Sequence, residues 1–194
     1  MSRKNVTVTL VAAVCLVAAG CSSGDGSTGI VGEPTFTLTA DGIGDFVVGD
    51  PFDQVSTDLE ARFGGTDVDS FEETTEVFVP SCDGDVTRLL SWGNFIVLFT
   101  GDADDLRLAT WTYGFDPITG SSEDIRQLNL KTTAGIGLGA TRQEIERAYG
   151  SDATFTASEA AGGEYLEISD SGEAQLVGRL SPDLTLLELA PTCG

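Results

Sequence analysis

The sequence predicts an α+β fold: two tandem units, each a helix followed by an antiparallel meander, forming one curved sheet with the helices on one face. Three observations carry that expectation. Thr39-Ala40-Asp41-Gly42-Ile43-Gly44 is echoed by Thr132-Thr133-Ala134-Gly135-Ile136-Gly137, and each copy runs through a second glycine, Gly49 or Gly139, into a helix signal. Both helix signals stop at an aromatic-Gly pair, Phe63-Gly64 and Tyr149-Gly150. After each stop come short runs rich in apolar and β-branched residues, separated by turn residues, which is how strands read.

The elements follow in order from local chemistry. Arg3 and Lys4 make a basic head, and residues 6–19 are apolar or small without a charge, the layout of a secretory signal. That run is too short to cross about 30 Å of hydrocarbon as a permanent helix. At its end, Leu16-Val17-Ala18-Ala19-Gly20-Cys21 resembles the lipobox of bacterial lipoproteins, with Ala18 where Leu is commoner. The resemblance implies that residues 1–20 are removed as a lipoprotein signal peptide. Cys21 would then carry lipid and become the mature N-terminus. An ordinary signal peptide with an unmodified Cys is the competing reading. Residues 21–37 read as a flexible tether, rich in Ser, Gly, Asp and Thr.

The first unit is expected over residues 38–131. Asp50 is the candidate cap of its helix and Pro51 the first helical residue, where a missing N–H costs nothing. Phe52, Val55, Leu59 and Phe63 line one side of that helix. Strands are expected at 71–79, 86–92, 94–100 and 106–115, with a tight turn at Trp92-Gly93-Asn94, a polar loop at 101–105 and a further strand at 127–132.

The second unit is expected over residues 132–194. Thr141 and Glu144 make a capping box, in which hydroxyl and carboxylate each satisfy an orphan backbone N–H. Ile145, Ala148 and Tyr149 then fall on one side before Gly150 ends the helix. Val55 and Ile145 both lie six residues after their glycine. Strands are expected near 153–156, 164–168, 174–180 and 185–189.

Charge narrows the partners. The 194 residues carry 31 acids, 10 cations and no His, a net charge of −21. Loss of residues 1–20 removes Arg3 and Lys4 and no acid, so the mature charge is about −23. Such a surface repels nucleic acid and anionic headgroups. Membrane attachment is therefore expected through lipid at Cys21, which holds firmly only with more than one acyl chain. Of four cysteines, Cys15 leaves with the signal and Cys21 is acylated. Cys82 and Cys193 remain in an oxidising compartment, where two thiols permit one disulfide. Closing so long a loop would stabilise the fold by roughly 4–5 kcal/mol in the chain-entropy account. Metal binding by two cysteines without a His is the weaker alternative.

The inventory of reactive groups is thin. Without His, the commonest general base and metal ligand is missing, and Ser-His-Asp and Cys-His mechanisms go with it. Carboxylates are abundant enough for a glycosidase-type pair, although so acidic a surface brings acids together by accident. Gly135-Ile136-Gly137-Leu138-Gly139 precedes a helix as a phosphate loop does. It lacks the Lys-Ser/Thr of that loop, and setting tight turns is its plainer role. Asp102-Ala103-Asp104-Asp105 and Cys82-Asp83-Gly84-Asp85 lack the EF-hand order, so a weak Ca²⁺ site competes with a polar loop at each. No cofactor and no resident metal are expected. Trp111, Tyr113 and Phe115 share one side of a strand, with Thr110 and Thr112 on the other. Either the aromatic side is core beneath a helix, or it is an exposed binding patch of the kind that dominates interfaces.

Taken with the meanders, the glycine loops and the Phe-Gly and Tyr-Gly stops resemble the repeat of secreted β-lactamase-inhibitory proteins and small outer-membrane assembly lipoproteins. The resemblance spans residues 38–194 and implies tandem units sharing a curved sheet. Trp92-Gly93 after Cys82, together with Cys193-Gly194, is also similar to a group of actinobacterial lipoproteins. The assembly lipoproteins carry one unit and the inhibitors are not tethered. No inhibitor contact loop matches residue by residue, so inhibition does not transfer. The expected function is a lipid-anchored, non-enzymatic protein- or ligand-binding module at the cell membrane, facing outside the cytoplasm. Its expected partner is an envelope or secreted protein. The alternative is a carboxylate-dependent envelope hydrolase.

Overall fold

The computed structural model describes residues 36–71, 86–114, 128–158, 162–170 and 173–192, all within the unit Gly32–Gly194. The signal segment, most of the tether, Cys21, Cys82, Cys193, Phe115 and Asp83 to Asp85 lie outside the described residues.

The fold is α+β, mostly β-sheet with two short helices and two sheets. Strands β1 (Thr37–Thr39), β2 (Gly42–Ile43) and β3 (Phe46–Val47) precede helix α1 (Phe52–Phe63). Then come β4 (Val68–Phe71), β5 (Val86–Trp92), β6 (Phe95–Asp102) and β7 (Asp105–Tyr113). The short β8 (Lys131–Thr132) leads to α2 (Arg142–Tyr149), which a 3-10 turn (Gly150–Asp152) extends. The chain closes with β9 (Ala153–Ser158), β10 (Gly163–Asp170), β11 (Glu173–Leu180) and β12 (Leu186–Pro191). The larger sheet has eight strands in the order β4-β5-β6-β7-β12-β11-β10-β9, all antiparallel. The smaller sheet runs β3-β2-β1-β8, with β1 and β8 parallel through Thr37↔Lys131 and Leu38↔Thr132.

The two helices start differently. In α2 the expected capping box is formed: Glu144 N–H donates to Thr141 Oγ1 at 3.3 Å, and Thr141 N–H donates to Glu144 Oε2 at 2.8 Å. In α1 the expectation needs correcting. Pro51 is itself the N-cap, and no side chain caps the helix. Asp50 Oδ2 instead accepts from Val47 N–H at 2.9 Å, closing the turn before the helix. Packing therefore holds α1: Val55 and Leu59 are fully buried, as is Ile145 in α2. A helix this short is marginal alone in water, so its buried stripe is what keeps it folded.

Hairpin β5–β6 turns where expected, with Trp92 opposite Phe95 and Gly93 at φ 59. That sign at the first central position suits the twist of the flanking strands. The Trp92 indole N–H donates to Gly64 O at 2.9 Å, tying this hairpin to the end of α1. The expected polar loop at 101–105 is instead a two-residue turn, because pairing continues to Asp102↔Asp105. The strand expected at 127–132 shrinks to β8. β4 begins earlier than expected, and the remaining seven strand expectations match within two residues at each end.

One core cluster joins both helices to the strands. It contains Val55, Leu59, Leu90, Trp92, Phe95, Val97, Phe99, Trp111, Tyr113, Ile145, Leu166, Leu180 and Leu189. Half-buried Phe63 packs against it, edge-on to Trp92 and Phe95 at 6.0 and 6.1 Å, and Phe95 meets Tyr113 at 6.2 Å. A second, smaller cluster of Leu89, Ile96 and Leu98 lies on the other side of β5 and β6.

Candidate functional site

Trp111 and Tyr113 are core residues, 1% and 3% exposed, so they form no exposed binding patch. The Trp111 indole donates to Thr39 O at 3.0 Å, and the Tyr113 hydroxyl donates to Leu128 O. Burial pushes the Tyr113 phenol up from its ordinary pKa. The two rings thus anchor the strand to β1 and to the segment just ahead of β8. Thr110 and Thr112, on the opposite side, are buried as well.

The glycine loop before α2 spends its donors internally. Gly135 N–H goes to Thr132 O, Ile136 N–H to Thr132 Oγ1, Gly139 N–H to Leu186 O and Ala140 N–H to Gly137 O. Those groups are not available to cradle a phosphate, so the turn-setting role holds. Tyr149 OH donates to Thr132 Oγ1 at 2.6 Å, pinning the end of α2 to the same loop. Of the acidic turn, Asp105 pairs with Arg107 at 2.7 Å, and Arg107 also donates to Gly49 O. Among the described residues, no three His, Cys, Asp or Glu side chains are grouped to hold a metal ion. No helix among them is long and apolar enough to cross a membrane.

Two ion-pair clips sit where the helices begin. Arg88 is bidentate on Asp69 at 2.9 and 2.8 Å, with its guanidinium carbon 4.2 Å from the Phe52 ring centroid. The hydrogen bonds and charge of Arg88 hold the Asp69 carboxyl below the usual carboxylate range. Arg142 meets Glu164 at 2.6 Å and Glu146 at 2.8 Å, with Phe155 4.5 Å beneath it. The carboxylates of both clips are committed to arginines.

The two halves of the large sheet differ on the side turned away from the main core. Across β4–β7, strand pairing sets Val68, Ser91, Ile96 and Thr112 in one row. Ser91, Ile96 and Thr112 are 2% exposed or less, and the Ser91 and Thr112 hydroxyls have no hydrogen-bond partner. Across β9–β12, the corresponding row is Thr156, Tyr165, Arg179 and Glu188. Here Tyr165 is 43% exposed, Thr156 and Arg179 are exposed, and Arg179 pairs with Glu188 at 3.5 Å. Partial burial, with help from Glu167, pushes the Tyr165 phenol up. This open row was not singled out by sequence reasoning. The alternation of Leu166 and Ile168 with Tyr165 and Glu167 was the signal that could have found it.

No protein-family model matches the chain, and no curated protein or solved structure matches it.

Proposed function

We propose that this chain is a lipid-anchored extracytoplasmic binding module, made of two copies of one helix-plus-meander unit, which acts by presenting sheet surface to a protein or ligand. The observation that carries the binding reading is the open row Thr156–Tyr165–Arg179–Glu188. It places an aromatic ring, a cation and an anion side by side on a rigid sheet. A pairing of exposed Tyr and Arg on a fixed scaffold is the composition that binding surfaces favour.

Matched hydrogen bonds support duplication over 38–131 and 132–194. Gly49 N–H donates to Leu108 O and Leu108 N–H to Asp50 O; Gly139 N–H donates to Leu186 O and Leu186 N–H to Ala140 O, all at 2.8 Å. Gly49 and Gly139 have φ 96 and 80, a left-handed conformation that favours glycine over residues with a Cβ. Pro51 bridges Arg107 as Thr141 bridges Thr185. That Val55, Leu59 and Ile145 share one core cluster supports both helices lying on one face.

The lipobox-like stretch ending at Cys21 supports the anchor at the cell membrane, and Cys82 with Cys193 form the single disulfide of this reading. The test has two arms. In a bacterial host fed an alkyne fatty acid, the wild-type chain takes label and Cys21→Ser does not. A photo-crosslinking amino acid at position 165 forms a discrete adduct with an envelope or secreted protein, whereas the same group at Asp58, on α1, does not. Label on Cys21→Ser overturns the anchor. Turnover of a glycan or peptide by the purified chain, abolished by one Asp or Glu substitution that leaves it folded, overturns the binding reading.

A further inference from the structure

The large sheet ends in two edges, and they are built differently. β4 is four residues long and carries Asp69, a charge of the kind that blunts an edge. β9 is six residues of Ala, Thr, Phe and Ser, with no charge, no proline and no register shift against β10. In a chain with 41 charged residues, this is the unguarded edge. Among the described residues no strand lies beyond residues 153–157 on their outer side. Thr154, Thr156 and Ala157 are exposed, while Phe155 is half-buried under the Arg142 clip. Such an edge offers a ready row of backbone donors and acceptors to another strand.

We propose that β9 is a strand-addition site, and that its occupant is an extended segment of a basic protein with Lys or Arg flanking a neutral, β-branched centre. The proposal rests on the binding-module reading and names its surface and partner. Charge selects the occupant. The neutral strand is preceded by exposed Asp152, and Glu167 stands opposite Thr154 on the neighbouring strand. A cationic flank meets attraction at the Asp152 end, and the net charge of the chain favours a basic partner along the whole strand. A second copy of the mature chain carries the same net charge of about −23 and is repelled. On the outer side, alternate residues of the incoming strand extend the row that Thr156 and Tyr165 begin.

The probe is an acetylated, amidated heptapeptide, Lys-Val-Thr-Val-Thr-Val-Lys, titrated onto the mature chain by calorimetry with amide hydrogen exchange alongside. Binding is expected, with exchange slowed at residues 153–157 and unchanged at 68–71. Replacing both Lys by Glu, or N-methylating the five central residues, is expected to weaken binding at least tenfold. Ala157→Lys in the protein is expected to weaken it similarly without a change in urea midpoint. The proposal is overturned by no binding at 1 mM peptide, by equal binding of the N-methylated peptide, by protection elsewhere, or by self-association through 153–157. Failure here together with an adduct at position 165 would remove the edge site and leave the binding module standing.

Discussion

Thr112 and Thr132 allow one substitution to be tested in two opposite contexts. Both side chains are buried, at 2% and 4% exposure, and both lie in β-strands. Thr132 Oγ1 accepts from Tyr149 OH at 2.6 Å and from Ile136 N–H at 3.2 Å. Thr112 Oγ1 has no partner. Thr→Val keeps the branched shape and the strand preference and exchanges a hydroxyl for a methyl. At position 112 this removes a buried polar group that has lost its water and gained nothing, a group that costs about 1–3 kcal/mol. At 132 it leaves the Tyr149 hydroxyl and the Ile136 N–H without their acceptor, at a cost of a similar size.

We therefore expect Thr112→Val to stabilise the chain by about 1 kcal/mol or more and Thr132→Val to destabilise it by about 1–3 kcal/mol. Urea unfolding of the mature chain, followed by far-UV circular dichroism, reads both as shifts in midpoint at constant slope. In a thermal scan each kcal/mol is worth about 2–4 °C for a chain of this size. Equal destabilisation by the two variants would refute the reasoning, because it would mean that the Thr112 hydroxyl is satisfied.

Two further perturbations test the packing and the charge. Ile145 is the buried residue of α2 and is fully enclosed, so Ile145→Ala should cost about 2–5 kcal/mol in urea unfolding; a loss below about 1 kcal/mol would mean α2 does not depend on that contact. Asp69 has a folded pKa below its unfolded value, so its contribution is present above about pH 4 and disappears as pH falls through the folded pKa. The stability gap between wild type and Asp69→Asn should accordingly close below pH 4. Both partners are partly exposed, which keeps that gap within about 1 kcal/mol. A gap that widens in acid would reverse the sign argued here.

What could be read from sequence was what a few neighbouring residues decide alone. The Thr141–Glu144 box is local chemistry, and so are the stops at Gly64 and Gly150; all three are present. The strands of the meander announced themselves by turn residues at their ends. The side of β7 that is core was not legible, because Thr110 and Thr112 are buried as fully as Trp111 and Tyr113. Alternation separates two sides of a strand and says nothing when both are dry. The cap of α1 failed because a carboxylate can serve the turn before it instead of the helix after it, and Asp50 accepts from Val47 N–H. β1, β2, β3 and β8 are two or three residues long and too short to carry any period.

The ion-pair clips explain why the proposed duplication is faint in sequence away from its glycines. Each clip occupies three positions: the first residue of a helix, an edge-strand residue, and a residue two places before a buried Leu on the next strand. In the first half these are Phe52, Asp69 opposite Leu90, and Arg88. In the second they are Arg142, Phe155 opposite Leu166, and Glu164. Each set holds one aromatic, one arginine and one acid, with every kind moved to a different position. The arginine lies over the ring and pairs with the acid in both. The interaction depends on the three side chains meeting, and the backbone that brings them together does not care which position supplies which. Aligned position by position, the halves disagree at all three places, although both close the start of a helix onto the sheet in the same way. Gly49 and Gly139 had no such freedom, since the backbone conformation itself favours glycine, and it is at the glycines that the echo stayed readable.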